Sequence, residues 1–163
     1  MSIIDRTYFT FGTTLIPNIK AAKIQAPVIA SSNQDDLDRA ISIYEEEYLR
    51  LVLGDLFDEF NDTEQKWIDL IGVLRDSTLK RSPIANYVFY KYYPIFCTTR
   101  TGAGDTSNGE IRRAQITAWN DSIGMNERVI LYLYENAATY EHDDVYLDFD
   151  KMSTLLNIDS FIA

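Results

Sequence analysis

From Leu37 onward, apolar residues recur every three or four positions: Leu37, Ile41, Tyr44, Tyr48 and Leu51. That period predicts a helix with one buried stripe. Asn33 stands where it can cap this helix, and Asp36 follows three residues on as an approximate capping box. Asp35, Asp36 and Asp38 fall in the first turn, where they complement the positive end of the helix dipole. Gly54 predicts a stop or sharp bend, followed by a further turn or two over Asp55–Phe60. Asn61-Asp62-Thr63 then predicts the cap of a helix carrying Trp67, Leu70, Ile71 and Leu74. Ser82-Pro83 opens the next helix, with proline at the first position, where a missing N–H costs nothing. Ile84, Tyr87, Val88 and Tyr92 face one way there, and Phe89, Tyr90 and Tyr93 widen the apolar band. A band that wide predicts burial from several sides. Pro94 is expected to end the helix.

Residues 95–108 read as a hairpin-like loop, with β-leaning Ile95–Thr99 running into the turn chemistry of Gly102-Ala103-Gly104-Asp105. Asn108 begins the longest helical pattern, to about Tyr140. Ile116, Trp119, Ile123, Ile130, Leu133, Ala137 and Tyr140 keep steps of three, four or seven. Gly124 interrupts it at about 1 kcal/mol relative to alanine, so a kink is expected there. The two ends differ from this helical middle. Residues 1–32 carry Pro17, Pro27 and an alternation at Tyr8-Phe9-Thr10-Phe11 that predicts an extended arm docked on the domain or on a neighbour. The tail, 143–163, is acidic and apolar, and its Leu155, Leu156, Ile158 and Phe161 are too many greasy side chains to leave in water. The expected fold is all-α: a small helical bundle over 33–142, with the 95–108 loop, the N-terminal arm and the C-terminal tail.

Composition alters this picture mainly through charge. The net charge is −10 and the pI about 4.5. Asp35–Asp62 holds ten acids against Arg39 and Arg50, a net −8. Arg75–Arg113 holds seven bases against three acids, a net +4. Glu135–Asp159 holds seven acids against Lys151, a net −6. This acid–base–acid order lets one copy's acidic face oppose a neighbour's basic face, which sets register and partner choice. Glu45, Glu46, Asp58 and Glu59 against Arg100, Arg112 and Arg113 are the candidate inter-subunit pairs. A single cysteine, Cys97, and an N-terminus without signal-peptide character predict a protein made in the cytoplasm. No apolar run approaches the ~18–20 residues that a bilayer requires.

Candidate chemistry is thin. His142 with Asp143 and Asp144 offers adjacent ligands on one segment, a poor preorganised metal site. Cys97 beside Phe96 reads as a buried structural thiol. Glu45-Glu46-Glu47 and Asp58-Glu59 point apart on a helix, so neither makes an acid–base pair. The Gly102-Ala103-Gly104 loop lacks the lysine of a phosphate loop. The sequence predicts no enzyme and no cofactor or metal.

The order of segments carries a resemblance. An acidic helix with Tyr44, Tyr48 and Leu49 leads to the turn Leu53–Phe60, followed by a tryptophan helix at Trp67 and ANYVFYKYY at Ala85–Tyr93. A T-x-T-G loop at Thr99–Gly102 and a long helix with Ala118-Trp119-Asn120 complete it. Over roughly residues 33–140 the chain resembles the head–tail connector (adaptor) proteins of tailed bacteriophages, in the version seen in crAss-like and other Bacteroidetes phages. The resemblance implies a structural virion protein at the head–tail interface. It would form a ring of about twelve copies beneath the portal, linking capsid to tail. Double-stranded DNA would pass through the channel without sequence-specific binding, and portal and a downstream neck or tail protein would be partners. Tyr146, Leu147, Phe149, Leu155, Leu156, Ile158 and Phe161 would dock on portal. Thr99, Arg100, Thr101, Gly102 and Asp105 would face the channel or the tail. The alternative is an acidic DNA mimic that inhibits a host nucleic-acid-binding protein, motivated by the −8 run.

Overall fold

In the computed structural model, residues 2–17, 28–100 and 108–140 are described. The fold is all-α, with five helices and no strand among those residues. Two short 310 turns, Arg6–Phe9 and Gly12–Thr14, precede α1 (Val28–Leu53). A third, Gly54–Glu59, leads to α2 (Gln65–Leu74), then α3 (Pro83–Arg100), α4 (Asn108–Glu135) and the single turn α5 (Ala137–Tyr140). α3 is the central helix, packed between α1 and α4. Residues 82–89 are buried at every position, which accounts for the wide apolar band of its sequence.

Several boundaries differ from expectation, each for a physical reason. α1 begins at Val28, so Asn33 lies inside the helix and not at its N-cap position. No proline or glycine in Val28–Asn33 stops the helix from running back through the serines. Gly54 does end α1, with φ of +54°, a conformation that glycine adopts without a Cβ penalty. α2 starts at Gln65. The Asn61 carboxamide oxygen accepts the Thr63 backbone N–H instead, closing an Asx turn ahead of the helix.

Pro94 does not end α3, and Ile95–Arg100 are helical instead of β-leaning. A proline inside a helix leaves the carbonyl four residues earlier without its donor. That carbonyl belongs to Tyr90, and Gln115 Nε2 of α4 donates to it at 3.0 Å. A neighbouring helix supplies the missing bond.

The N-terminal segment is part of the core. The alternation at Tyr8–Phe11 predicts a strand that would send neighbours to opposite faces. In the 310 turn, Tyr8 and Phe9 are both buried, with Ile3, Ile4 and Ile16, against α1, α3 and α4. Polar contacts fix it at several points. Arg6 donates through Nε to Asp38 Oδ1 at 2.5 Å and through a terminal nitrogen to Gln34 Oε1 at 2.7 Å, and its other terminal nitrogen pairs with Asp38 Oδ2. Arg75 donates to the Ile3 carbonyl at 2.6 Å.

α4 continues unbroken through Gly124 to Glu135. Its buried face runs Ile111, Ala118, Ser122, Asn126, Val129 and Leu133, with Trp119 alongside. Ser122 donates to the Pro83 carbonyl at 2.9 Å, and the Tyr48 hydroxyl donates to Asn126 Oδ1. Ile116, Ile123 and Ile130, read from the sequence as part of the inner stripe, lie half-buried at its margin. A Cβ on Gly124 would meet nothing within 4 Å. Gly124→Ala is therefore expected to stabilise the fold by about 0.5–1 kcal/mol, through helix propensity alone. Urea unfolding with an unchanged m-value checks it.

Candidate assembly surfaces

The exposed acids of the first half gather on one run of structure. Asp35, Asp38 and Glu46 on α1, Asp55, Asp58 and Glu59 on the following turn, and Glu64 and Asp69 around α2 are all exposed. Local cations temper this charge. Arg50 pairs with Glu46 at 3.0 Å and Asp58 at 3.6 Å while lying over the Phe57 ring. Glu59 lies 4.0 Å from Lys66, and Glu47 accepts from Lys91 at 2.8 Å and the Tyr87 hydroxyl at 2.7 Å. Burial pushes the Glu47 carboxyl up, but the Lys91 and Tyr87 hydrogen bonds and the Lys91 charge outweigh it and hold it below the usual carboxylate range.

Of the candidate inter-subunit acids, Glu46, Asp58 and Glu59 are exposed, though each already has a partner within the chain. Glu45 is a different kind of residue. It is only 6% exposed. Its carboxylate accepts the Ile3 N–H at 2.9 Å, the Ile4 N–H at 3.1 Å and the Ser2 hydroxyl at 2.9 Å. It is a structural acceptor for the N-terminal segment, which removes it from any surface charge pair. Nothing in the local sequence separates it from Glu46 and Glu47; only the docking of residues 2–4 does.

On the basic side, Arg112 and Arg113 are exposed in the early turns of α4. Thr99 and Arg100 lie in the last turn of α3, and their side chains fall outside the described residues, as do Thr101, Gly102 and Asp105. The tail residues Tyr146, Leu147, Phe149, Leu155, Leu156, Ile158 and Phe161, and also His142, likewise lie outside the described residues. Cys97 is buried, and burial pushes its thiol above the ordinary value although Tyr93 hydrogen bonding pulls the other way. Among the described residues, no group of three or more His, Cys, Asp or Glu is placed to hold a metal ion, and no helix is long and apolar enough to cross a membrane.

A cleft of about 310 Å³ lies between the Gly12–Thr14 turn, the α2–α3 connection and α4. Lys80, Arg81 and Asp121 line it, with Phe11 and Leu79 exposed beside them. Asn86 also lines it and has a buried carboxamide oxygen without a partner. The sequence offered no signal for this cleft, because its walls come from four separate segments.

No protein-family model, curated protein or solved structure matches the chain.

Proposed function

We propose that this protein is a structural ring component of a phage neck, joining portal to tail around the DNA channel. The observation that carries the reading is the distribution of exposed charge: acids along α1, the Gly54–Glu59 turn and α2, and the adjacent Arg112 and Arg113 in the early turns of α4. A ring is built from heterologous contacts, so each subunit needs two unlike faces. The helical bundle and the segment order of the resemblance agree with that role. In this reading the tail 143–163 engages portal, and Thr99, Arg100, Thr101, Gly102 and Asp105 meet the channel or the next tail component.

The measurement is the mass of the purified protein alone and with portal. Portal is expected to drive assembly into a ring of about twelve copies. A protein that leaves portal unbound at about tens of micromolar, or that is missing from purified particles, overturns the proposal.

The DNA-mimic reading is the weaker of the two. It needs rows of uncompensated carboxylates, whereas Glu45 is buried and Asp38, Glu46, Glu47, Asp58 and Glu59 each have a cation within 4.0 Å.

A further inference from the structure

The outer face of α4 is largely exposed, and Asp121 at its edge is half-buried where it lines the cleft beside the α2–α3 connection. Leu131 and Tyr134 are 55% and 65% exposed, Ile116 is half-buried, and Asn120, Gly124 and Glu127 are exposed between them. The order of residues on this face is self-complementary when read in opposite directions. Arg113 stands eleven positions before Gly124 and Glu135 eleven after; Asp121 stands three before and Arg128 four after. Two α4 helices laid antiparallel with their Gly124 residues at the crossing thus place Arg113 against Glu135 and Asp121 against Arg128, twice each. The same register sets Ile116 against Leu131 and Asn120 against Glu127. Among the described residues, none of the four charged groups is drawn into an ion pair. At the centre, Gly124 has no side chain and nothing within 4 Å of where a Cβ would be, so the backbones can approach closely.

We infer that this face binds a second copy of the chain, with α4 packed antiparallel on α4 about Gly124. Such a contact is isologous: the same patch serves both partners and closes on itself. It does not repeat around a cyclic ring, so it belongs to the free protein before assembly, and it is independent of the neck reading. The apolar content is modest, which sets the expected dissociation constant at about 10–100 µM. Opposite charges fix the antiparallel register, because the parallel one would set like against like.

Sedimentation equilibrium of the full chain at low salt, from about 1 to 500 µM, tests this. A monomer–dimer equilibrium is expected. Arg113→Glu alone and Glu135→Arg alone should each weaken it about five- to tenfold, and the two together should restore it, since the pair is only swapped. Gly124→Leu, which fills open space and leaves the helix signal in circular dichroism intact, should abolish dimerisation. A chain that stays monomeric throughout overturns the inference. So does a dimer indifferent to Gly124→Leu, or one that the double charge swap fails to restore. Dimerisation without portal binding would sink only the ring proposal, and portal binding by a strict monomer only this one.

Discussion

Phe9→Ala is expected to cost about 3–5 kcal/mol, as much as losing a phenylalanine from the centre of a core. Phe9 is completely buried and belongs to the same apolar cluster as Leu37, Tyr48, Val88 and Trp119. A docked but separable arm would behave otherwise: its mutations would weaken docking and leave the domain's own unfolding transition unmoved. Deleting residues 1–17 sharpens the contrast. The deletion uncovers apolar surface on α1, α3 and α4, and it strips Asp38, Gln34, Glu45 and Arg75 of partners at once. The truncated chain is expected to lose cooperative thermal unfolding, as read by calorimetry. A truncation that melts within a few degrees of the full chain would show that the first 17 residues are an accessory.

Glu45 carries the second large effect. In Glu45→Ala the backbone N–H groups of Ile3 and Ile4 lose their acceptor in a buried setting. An orphaned buried donor costs about 1–3 kcal/mol, so about 2–6 kcal/mol is expected for the pair. Ile3 and Ile4 donate to different oxygens of the carboxylate, so Glu45→Gln keeps an acceptor for only one of them and should fall between wild type and Glu45→Ala. The pH dependence of the two proteins separates charge from hydrogen bonding. Burial pushes the Glu45 carboxyl above its ordinary value of 4.5, against the opposing pull of the Ile3, Ile4 and Ser2 hydrogen bonds. The folded state therefore holds the proton more tightly than the unfolded state does. Stability linked to that proton is fully present below about 4.5 and is lost as pH rises through the raised folded value. Denaturant unfolding from pH 4 to 7 should show wild type losing ground to Glu45→Gln as pH rises. A constant gap between them would mean that the site does not titrate in this range.

The sequence made much of the helical core legible. Leu37, Ile41 and Tyr48 are buried as their spacing predicts, Gly54 ends α1, Pro83 opens α3 and Asn108 begins α4. Leu70 and Leu74 line the buried face of α2 with Trp67. These features are local: a helical period, a cap or a left-handed glycine depends on residues within one or two turns. The misread features all depend on a distant partner. Ser122 and Asn126 look like surface residues until the Pro83 carbonyl and the Tyr48 hydroxyl satisfy them. Skipping them rotated the predicted inner face of α4 toward Ile116, Ile123 and Ile130. Pro94 reads as a terminator until Gln115 bonds the carbonyl it orphans. Of the candidate inter-subunit charges, Glu46, Asp58, Glu59, Arg112 and Arg113 are exposed, and Glu45 is buried.

By itself, then, the sequence determined that the chain is helical, roughly where its turns fall, and that its charges are segregated, since short-range sterics and composition govern all three. The tertiary structure alone decided that Ile3, Ile4, Tyr8, Phe9 and Ile16 belong to the core, that Glu45 serves the backbone, and which face of α4 remains outside. Each of those outcomes rests on groups far apart in the chain, in one case 41 residues, meeting at hydrogen-bond distance. A polar residue is inside or outside according to whether such a partner arrives, and no window along the sequence contains both.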